Sequence, residues 1–510
     1  MFQKVLVANR GEIALRIVRA LRDLGVQSVA VYSDVDRLSP HVRYADEAHC
    51  IGPAPATESY LDGDKIIATA KAAGADAIHP GYGFLAENTD FVEACHKADL
   101  AFIGPEPDAM RLLGDKLSAR AVARKANVPL VPGTGEIANV AEAVAAVRRI
   151  GLPAMIKAAR GGGGRGIRRI ETEDEIEDAI ARAMREAEIS FGDPCIYMER
   201  AMKGVRHIEV QIIADQFGNI VPVGVRECSI QRRHQKIIEE CPSPAVDDDL
   251  RRRLIRAAVR ITRTAGYTSL GTVEFLLDHE RNHYFLEVNT RLQVEHPVTE
   301  MVAGIDLVKD QIHVAAGEEL AYEGTDLLPT GWAIECRLVA EDPFNDFLPS
   351  IGRVVLAREP AGPGIRVESA LYDGMEVTPY YDSLLAKVTA HARTRDRAIR
   401  RMKRALSECR VVGVATNIPY LLHLLDLPDF IEGRMDTTFL DNHRVFVEEA
   451  VQEQRQTAEI AALLLTTGSP APSLNGNAAG STRRRRGPSA WRQVMGGLRG
   501  GGSGRWPKSI

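Results

Sequence analysis

Between Lys4 and Gly104 the sequence alternates apolar, strand-like runs with helix-patterned ones. KVLVAN is followed by a helix over 12–24, SVAVYS by a helix near 63–73 that feeds ADAIHPG, and a further helix feeds AFIG. Alternation of this kind constrains a chain to a parallel sheet covered by helices. The loop after the first strand, Asn9-Arg10-Gly11-Glu12, lacks the G-x-G-x-x-G fingerprint. This first unit, residues 1–113, is therefore expected to be Rossmann-like without a dinucleotide site.

A second unit, 114–330, is rich in strands and carries a glycine cluster, Gly161 to Gly164 and Gly166. A third, 331–446, opens on GWAIECRLVAE and mixes strand and helix patterns. The fold class expected is α/β in the first unit and α+β beyond it. From 447 the reading is a helix and then a tail, rich after Thr466 in Gly, Ser, Pro, Asn and Arg and including the run Arg483 to Arg486. That is the composition of a disordered or docking segment. A length of 510 residues accommodates two or three cores, and a net charge of −5 gives no reason to expect nucleic acid or an anionic membrane as partner. Seven scattered cysteines without a C-x-x-C pair argue against a disulfide framework or a zinc knuckle. No apolar run approaches the roughly 18 residues of a membrane span, and no apolar leader follows Met1. The expectation is a cytoplasmic protein.

PAMIKAARGGGGRGIRRI places one strand before the glycines and another after them, and Thr172 to Glu175 then has the form of a capping box opening a helix. Gly161, Gly163 and Gly166 satisfy G-x-G-x-x-G, but a dinucleotide site needs a helix at that loop and here a strand follows. Lacking Cβ atoms, such a hairpin lets backbone N–H groups approach triphosphate oxygens, and Lys116 and Lys157 add phosphate-seeking cations. A flexible surface hairpin is the plainer alternative. In GTVEFLLD and HYFLEVNTRLQVEHP, a turn over 279–282 pairs Asp278 with His283 and so carries Glu274 opposite Glu287. Glu287, Asn289 and Arg291 then share a face with Glu274, while Phe275, Leu277, Leu286 and Val288 take the other. Two carboxylates and an amide gathered in this way suit Mg²⁺ or Mn²⁺ bridging to phosphates; the alternative is a solvated sheet face. RECSIQRRHQK, from Arg226 to Lys236, gathers donors suited to a polyanionic intermediate, or else forms a solvated basic patch limited by Glu239 and Glu240.

HPGYGFLAEN, KAARGGGGRG, ECSIQRRHQKIIEECPSP, EVNTRLQVEHPVTE, ECRLVAEDP and VGVATN, in this order within residues 1–446, resemble the biotin carboxylase family. The resemblance implies a Rossmann-like N-terminal domain, a central ATP-grasp domain with a lid over about 131–203, and a C-terminal domain that completes the active site. It implies that Lys116, Lys157, Gly162, Gly163, Gly164, His207, Gln231 and His234 contact ATP. The backbone of Glu199 to Met202, Arg200 included, would meet adenine. Glu274, Glu287 and Asn289 would hold the metal, two ions being expected. Bicarbonate is assigned to Lys236, Arg291, Gln293 and Val294, with Glu295 as the base that deprotonates it. The carboxyphosphate so formed breaks down to CO₂ and phosphate, the phosphate takes the ureido proton of biotin, and Arg337 stabilises the enolate. Tyr82 and His234 border biotin. Glu295 is expected to stay ionised beside Arg291.

The partners implied are a biotin carboxyl carrier protein, carboxyltransferase subunits and a second copy of the chain, contacted through Arg16 and Arg366. The acceptor implied is an acyl-CoA, acetyl-CoA first, or pyruvate in a two-subunit enzyme. Arg160, Ile167 and Arg200 depart from the family's usual residues without removing a catalytic group. Ala201-Met202-Lys203 imitates a biotinylation site but lies in the adenine hinge with Gly204 after it, so biotin is expected on another polypeptide. Two rival readings are another ATP-grasp ligase and a silent structural protein within a carboxylase complex. RLQVEHP and Arg337 speak against the first, and the complete metal, base and lysine set against the second.

Overall fold

The computed structural model describes residues 1–137, 139–159, 167–322 and 327–443. Lys4–Val7 (β1), Gln27–Ser33 (β2), Glu47–Gly52 (β3), Ala77–His79 (β4) and Ala101–Phe102 (β5) form a parallel sheet in the order β3-β2-β1-β4-β5. Val5, Leu6 and Val7 are all fully buried because helices cover both faces, which removes the alternation a one-sided strand would show. The helix Gly11–Asp23 lays Ile13, Ile17, Val18 and Leu21 into the core beneath the sheet. The helix Gly63–Ala73 starts at Asp62, whose carboxylate accepts the Lys65 N–H, and ends at the left-handed Gly74.

Ala154–Ala158 (β6), Ile167–Ile170 (β7) and Ile196–Arg200 (β8) make a small antiparallel sheet in the order β7-β6-β8. Strands thus flank the glycine cluster as the sequence implies, while Gly161 to Gly164 and Gly166 themselves lie outside the described residues. The expected capping box does not form. Thr172 makes no side-chain cap bond, a 3₁₀ turn over Glu173–Glu175 intervenes, and the helix runs from Ile176 to Phe191. Glu175 instead accepts the Glu171 N–H at 3.3 Å.

The largest sheet joins Arg206–Ala214 (β9), Ile220–Arg232 (β10), Gln235–Cys241 (β11), Ser269–Leu277 (β12), His283–Asn289 (β13), Trp332–Val339 (β14), Ile365–Ser369 (β15) and Leu384–Ala392 (β16). Its order is β13-β12-β9-β10-β11-β14-β16-β15, antiparallel throughout. Ile238 opposes Cys336 where β11 meets β14, so the sheet passes unbroken from the second unit of the sequence into the third. The helix Asp248–Ala265 packs Leu250, Leu254, Ala258 and Ile261 beneath the β9–β13 half, and the helix Arg395–Glu408 packs Ile399, Met402 and Leu406 beneath the other.

The β12–β13 hairpin closes one residue earlier than its spacing implies. Leu277, not Asp278, opposes His283, and Asp278 caps the turn by accepting the Asn282 N–H at 2.7 Å. A bulge after Phe285 then restores the count, so that Glu274 does oppose Glu287. The bulge corrects the apolar face: Phe285 is buried with Phe275, Leu277 and Val288, and Leu286 is only partly buried.

Candidate active site

Arg226, Glu209, Glu274 and Glu287 stand opposite one another on β10, β9, β12 and β13. Cross-strand neighbours point to one face, so this is a row of charge across four strands, with Gln211, Thr272 and Asn289 forming the row beside it. A single glycine sets the row's register. Gly224, at φ +82°, sits in a bulge between Pro222 and Val225 that turns Arg226 to the face of Glu209. Arg226 is fully buried and donates to Glu209 at 3.0 Å, Gln211 at 2.7 Å, Thr299 at 3.0 Å, Thr272 at 3.1 Å and Gln293 at 2.6 Å. It is therefore the fixed counter-charge in the floor of the site and does not face an intermediate.

Lys236, on β11, is the central cation. Its Nζ contacts Glu209 and lies 3.2 Å from Glu274 and 2.6 Å from Glu295. Burial disfavours the ammonium, but these carboxylates outweigh it and hold its pKa well above the ordinary value. Glu295 immediately precedes the helix His296–Ala303, whose start is set by Pro297 in the first turn. It accepts from Arg337 at 3.0 Å, and Arg337 Nε also donates to Glu239 at 2.6 Å. Burial pushes the Glu295 carboxyl up, yet Lys236, with Arg337 and Arg226, brings it below the usual carboxylate range. Glu295 is thus held in its charged form, with Lys236 and Arg337 as its direct contacts, while Arg291 lies 3.1 Å from Glu87 and 3.2 Å from the Asn289 side-chain oxygen and acts on Glu295 only through its charge.

At the other end of the row, Glu274 accepts from Asn289 at 2.7 Å and Gln293 at 3.0 Å, and His207 Nε2 lies 2.8 Å from its second oxygen. Burial opposes its charge, but Lys236 and His207 hold the carboxyl well below its usual range. Burial likewise opposes a charged His207, but Glu274 and Glu209 push the ring up to about 10, and the Gln231 amide nitrogen lies 2.8 Å from its Nδ1. Glu287 differs. Burial and then Glu274 push its carboxyl up, Lys116, His207 and Lys157 only partly offset this, and among the described residues it has no hydrogen-bond or ion-pair partner. An oxygen-seeking divalent cation between Glu274 and Glu287 would relieve that repulsion, so the donor set fits Mg²⁺ or Mn²⁺.

Lys116 opens the helix Lys116–Lys125, and burial lowers its pKa. Lys157 Nζ donates to Glu199 at 2.5 Å, and Glu199 also binds Arg120. In the hinge, the Arg200 and Ala201 N–H groups are taken by the Pro132 and Pro153 carbonyls at 2.8 Å each, which leaves Met202 with an N–H that has no acceptor among the described residues. Arg233 and His234 form the β10–β11 turn with φ of 51° and 65°, a pair of left-handed residues that holds His234 exposed at its tip. Tyr82 donates its hydroxyl to Glu12. Val294 offers its carbonyl to Lys387 at 2.7 Å. Lys203 is exposed, 3.5 Å from Glu171.

Lys236, Arg337, Glu295, Glu274, Gln293, Asn289, Arg291, His207 and Gln231 therefore form one connected cluster. Arg16, the residue expected to contact another copy, is paired within its own chain. Its side chain is 7% exposed and lies 3.1 Å from Glu300 and 2.5 Å from Asp306 of its own chain. Sequence reasoning missed Glu209, Glu239, Glu87 and Lys387. A signal existed for Glu209, because His207, Glu209 and Gln211 put a polar group at every second position of an otherwise apolar strand.

Three family models match consecutive parts of the chain. They are the N-terminal domain of biotin carboxylase at residues 1–110, the ATP-binding domain of the carbamoyl-phosphate synthase L chain at 115–323, and the biotin carboxylase C-terminal domain at 335–442. The fold and the acid-rich sheet face are those of an ATP-grasp ligase. Biotin carboxylase 1 of Bacillus subtilis is 51% identical over 447 residues, covering 87% of this chain and 99% of that protein. A pyruvate carboxylase subunit of Methanothermobacter thermautotrophicus is 46% identical over 464 residues, covering 90% and 94%. The Campylobacter jejuni biotin carboxylase–β-γ-ATP complex superposes with a TM-score of 0.85 at 45% identity, covering 87% of this chain and 99% of that one. The biotin carboxylase domain dimer of Hydrogenobacter thermophilus 2-oxoglutarate carboxylase, in complex with MgADP, ADP and bicarbonate, gives 0.84 at 45%, covering 87% and 98%. The chain belongs to the biotin carboxylase family, ATP- and Mg²⁺-dependent ligases whose substrate is biotin. Among the described residues no helix is long and apolar enough to cross a membrane.

Proposed function

We propose that this chain carboxylates biotin borne on a separate carrier protein, with Glu295 as the base that activates bicarbonate. The observation that carries the proposal is Glu295 buried and clamped between Lys236 and Arg337, two cations that hold its carboxyl below the usual range. In this reading bicarbonate sits among Lys236, Arg291, Gln293 and Val294 and gives its proton to Glu295. Its oxygen attacks the γ-phosphorus of ATP, ADP leaves, and carboxyphosphate forms. Carboxyphosphate releases CO₂ and phosphate, the phosphate takes the N1 proton of biotin, and N1 attacks CO₂. Arg337, which is always protonated, neutralises the ureido oxygen as charge develops there.

Glu274, Glu287 and Asn289 are the residues to hold Mg²⁺ or Mn²⁺, which when bound screens the phosphate charge. Lys116, Lys157, Gly162, Gly163, Gly164, His207, Gln231, His234 and the hinge Glu199 to Met202 are assigned to ATP, and Tyr82 to biotin. The partners proposed are a biotin carboxyl carrier protein, carboxyltransferase subunits and a second copy of the chain. The acceptor proposed is an acyl-CoA, acetyl-CoA first. Pyruvate is the second reading, favoured by the 46% identity to the Methanothermobacter pyruvate carboxylase chain.

Bicarbonate-dependent ATP cleavage stimulated by free biotin tests the activity. Cleavage indifferent to biotin would point to a different ligase, and no turnover would point to a purely structural role. Identifying the biotinylated and carboxyltransferase proteins that copurify with the chain decides the acceptor.

A further inference from the structure

Lys387 lies on β16 in the apolar run LLAKVTAHA and is fully buried. An ammonium in such a place costs far more than a methionine of the same length unless its donors are used. They are used in a specific direction. Lys387 Nζ donates to the Val294 carbonyl at 2.7 Å, lies 3.2 Å from Glu12 Oε1, and stands 5.7 Å above the Tyr82 ring, whose hydroxyl donates to the same Glu12 oxygen. Lys387 is also the cross-strand partner of Arg337, so both cations rise from one face toward one loop. Arg337 takes the Glu295 side chain at 3.0 Å, and Lys387 takes the carbonyl of the residue before it.

We infer that Lys387 is a positioning residue. By holding the Val294 carbonyl it fixes the peptide that joins Val294 to Glu295 and sets the approach of the loop to bicarbonate, and through Glu12 it ties that loop to Tyr82. The inference rests on the assignment of bicarbonate and biotin made above. A buried lysine that served only to pack the helix Gly11–Asp23 against the large sheet could satisfy its donors on any nearby acceptor, and would not need to be aimed at the residue next to the base.

The test compares the full-length enzyme with its Lys387→Met variant in bicarbonate-dependent ATP cleavage with free biotin. Misplacing a substrate-positioning peptide should raise KM for bicarbonate about tenfold or more while KM for ATP stays within about twofold. Glu12→Gln keeps the shape and an acceptor for Tyr82 but removes the charge beside Lys387. It should raise KM for bicarbonate about threefold, and it decides the matter if Lys387→Met does not fold. An unchanged bicarbonate KM in a folded variant overturns the inference. So does a parallel rise in both KM values together with lost thermal stability, which marks a packing residue. Absence of biotin-stimulated cleavage in the unmutated enzyme would instead overturn the assignment of the site itself.

Discussion

Two buried charge clusters in this chain use the same residue types to different ends. Around Arg16 every charge has a partner: Arg16 lies 3.1 Å from Glu300 and 2.5 Å from Asp306, Arg366 lies 2.7 Å from Glu300 and 2.6 Å from Glu368, and Glu300 also accepts the Leu307 N–H at 2.7 Å. On the large sheet, Glu209, Glu274 and Glu295 share Lys236, and Glu287 is left without a partner among the described residues. A matched cluster is finished structure, and removing one member leaves a stranded charge. A cluster that leaves one buried carboxylate without a direct partner has a place for a further cation.

The contrast can be broken most sharply at Glu295. Glu295→Gln should lower turnover by roughly 10² to 10⁴ with MgATP binding retained, as loss of a general base does. Steady-state kinetics beside a nucleotide-binding titration would show it, and an unchanged rate removes Glu295 from its role. Glu300→Gln should do the opposite, costing roughly 2 kcal/mol of stability by removing the carboxylate that Arg16 and Arg366 share, while the folded fraction keeps its KM values. Denaturant unfolding with kinetics at low temperature would separate the two effects.

Glu287→Gln sharpens the comparison further. Its carboxyl is held up by burial and by Glu274, so the folded state binds its proton more tightly than the unfolded chain and its charge costs stability at neutral pH. The substitution should therefore leave the Mg²⁺-free protein as stable or more so, by less than about 1 kcal/mol, and raise the Mg²⁺ needed for half-maximal activity by about tenfold. An effect read in pH and not in activity is expected at Glu335, which burial pushes up to about 8 despite Lys387 nearby. Its contribution to stability is complete below its unfolded value of 4.5 and is lost as pH rises toward 8. Glu335→Gln should flatten that fall in a series of melting curves from pH 5 to 8.

The pairing of Glu274 with Glu287 was legible because strand alternation and turn length are local properties. The spacing nevertheless misplaces the turn by one residue, and the correct pairing arises only because the bulge beyond Phe285 compensates for it. Bulges and caps are settled by packing, which is why Leu286 leaves the apolar face and why Thr172 does not cap its helix. The cations that hold Glu295 were not legible as a clamp. Lys236 and Arg337 come from β11 and β14, and nothing local in the sequence says that these two strands are neighbours. Arg226 shows the same limit: its basic neighbourhood reads as donors for an intermediate or an exposed patch, and a register shift at Gly224 turns it into the floor.

The ladder between β11 and β14 has a further consequence. Dividing the chain ahead of Trp332 would lay bare two raw edges at once, each lined with N–H and C=O groups that have lost their partners from Ile238–Cys336 to Cys241–Ala333. Unprotected edges of that kind invite pairing with foreign strands. A fragment ending near 330 is thus expected to be sticky and to lack Arg337, so the enzyme resists dissection along the line that its sequence most suggests.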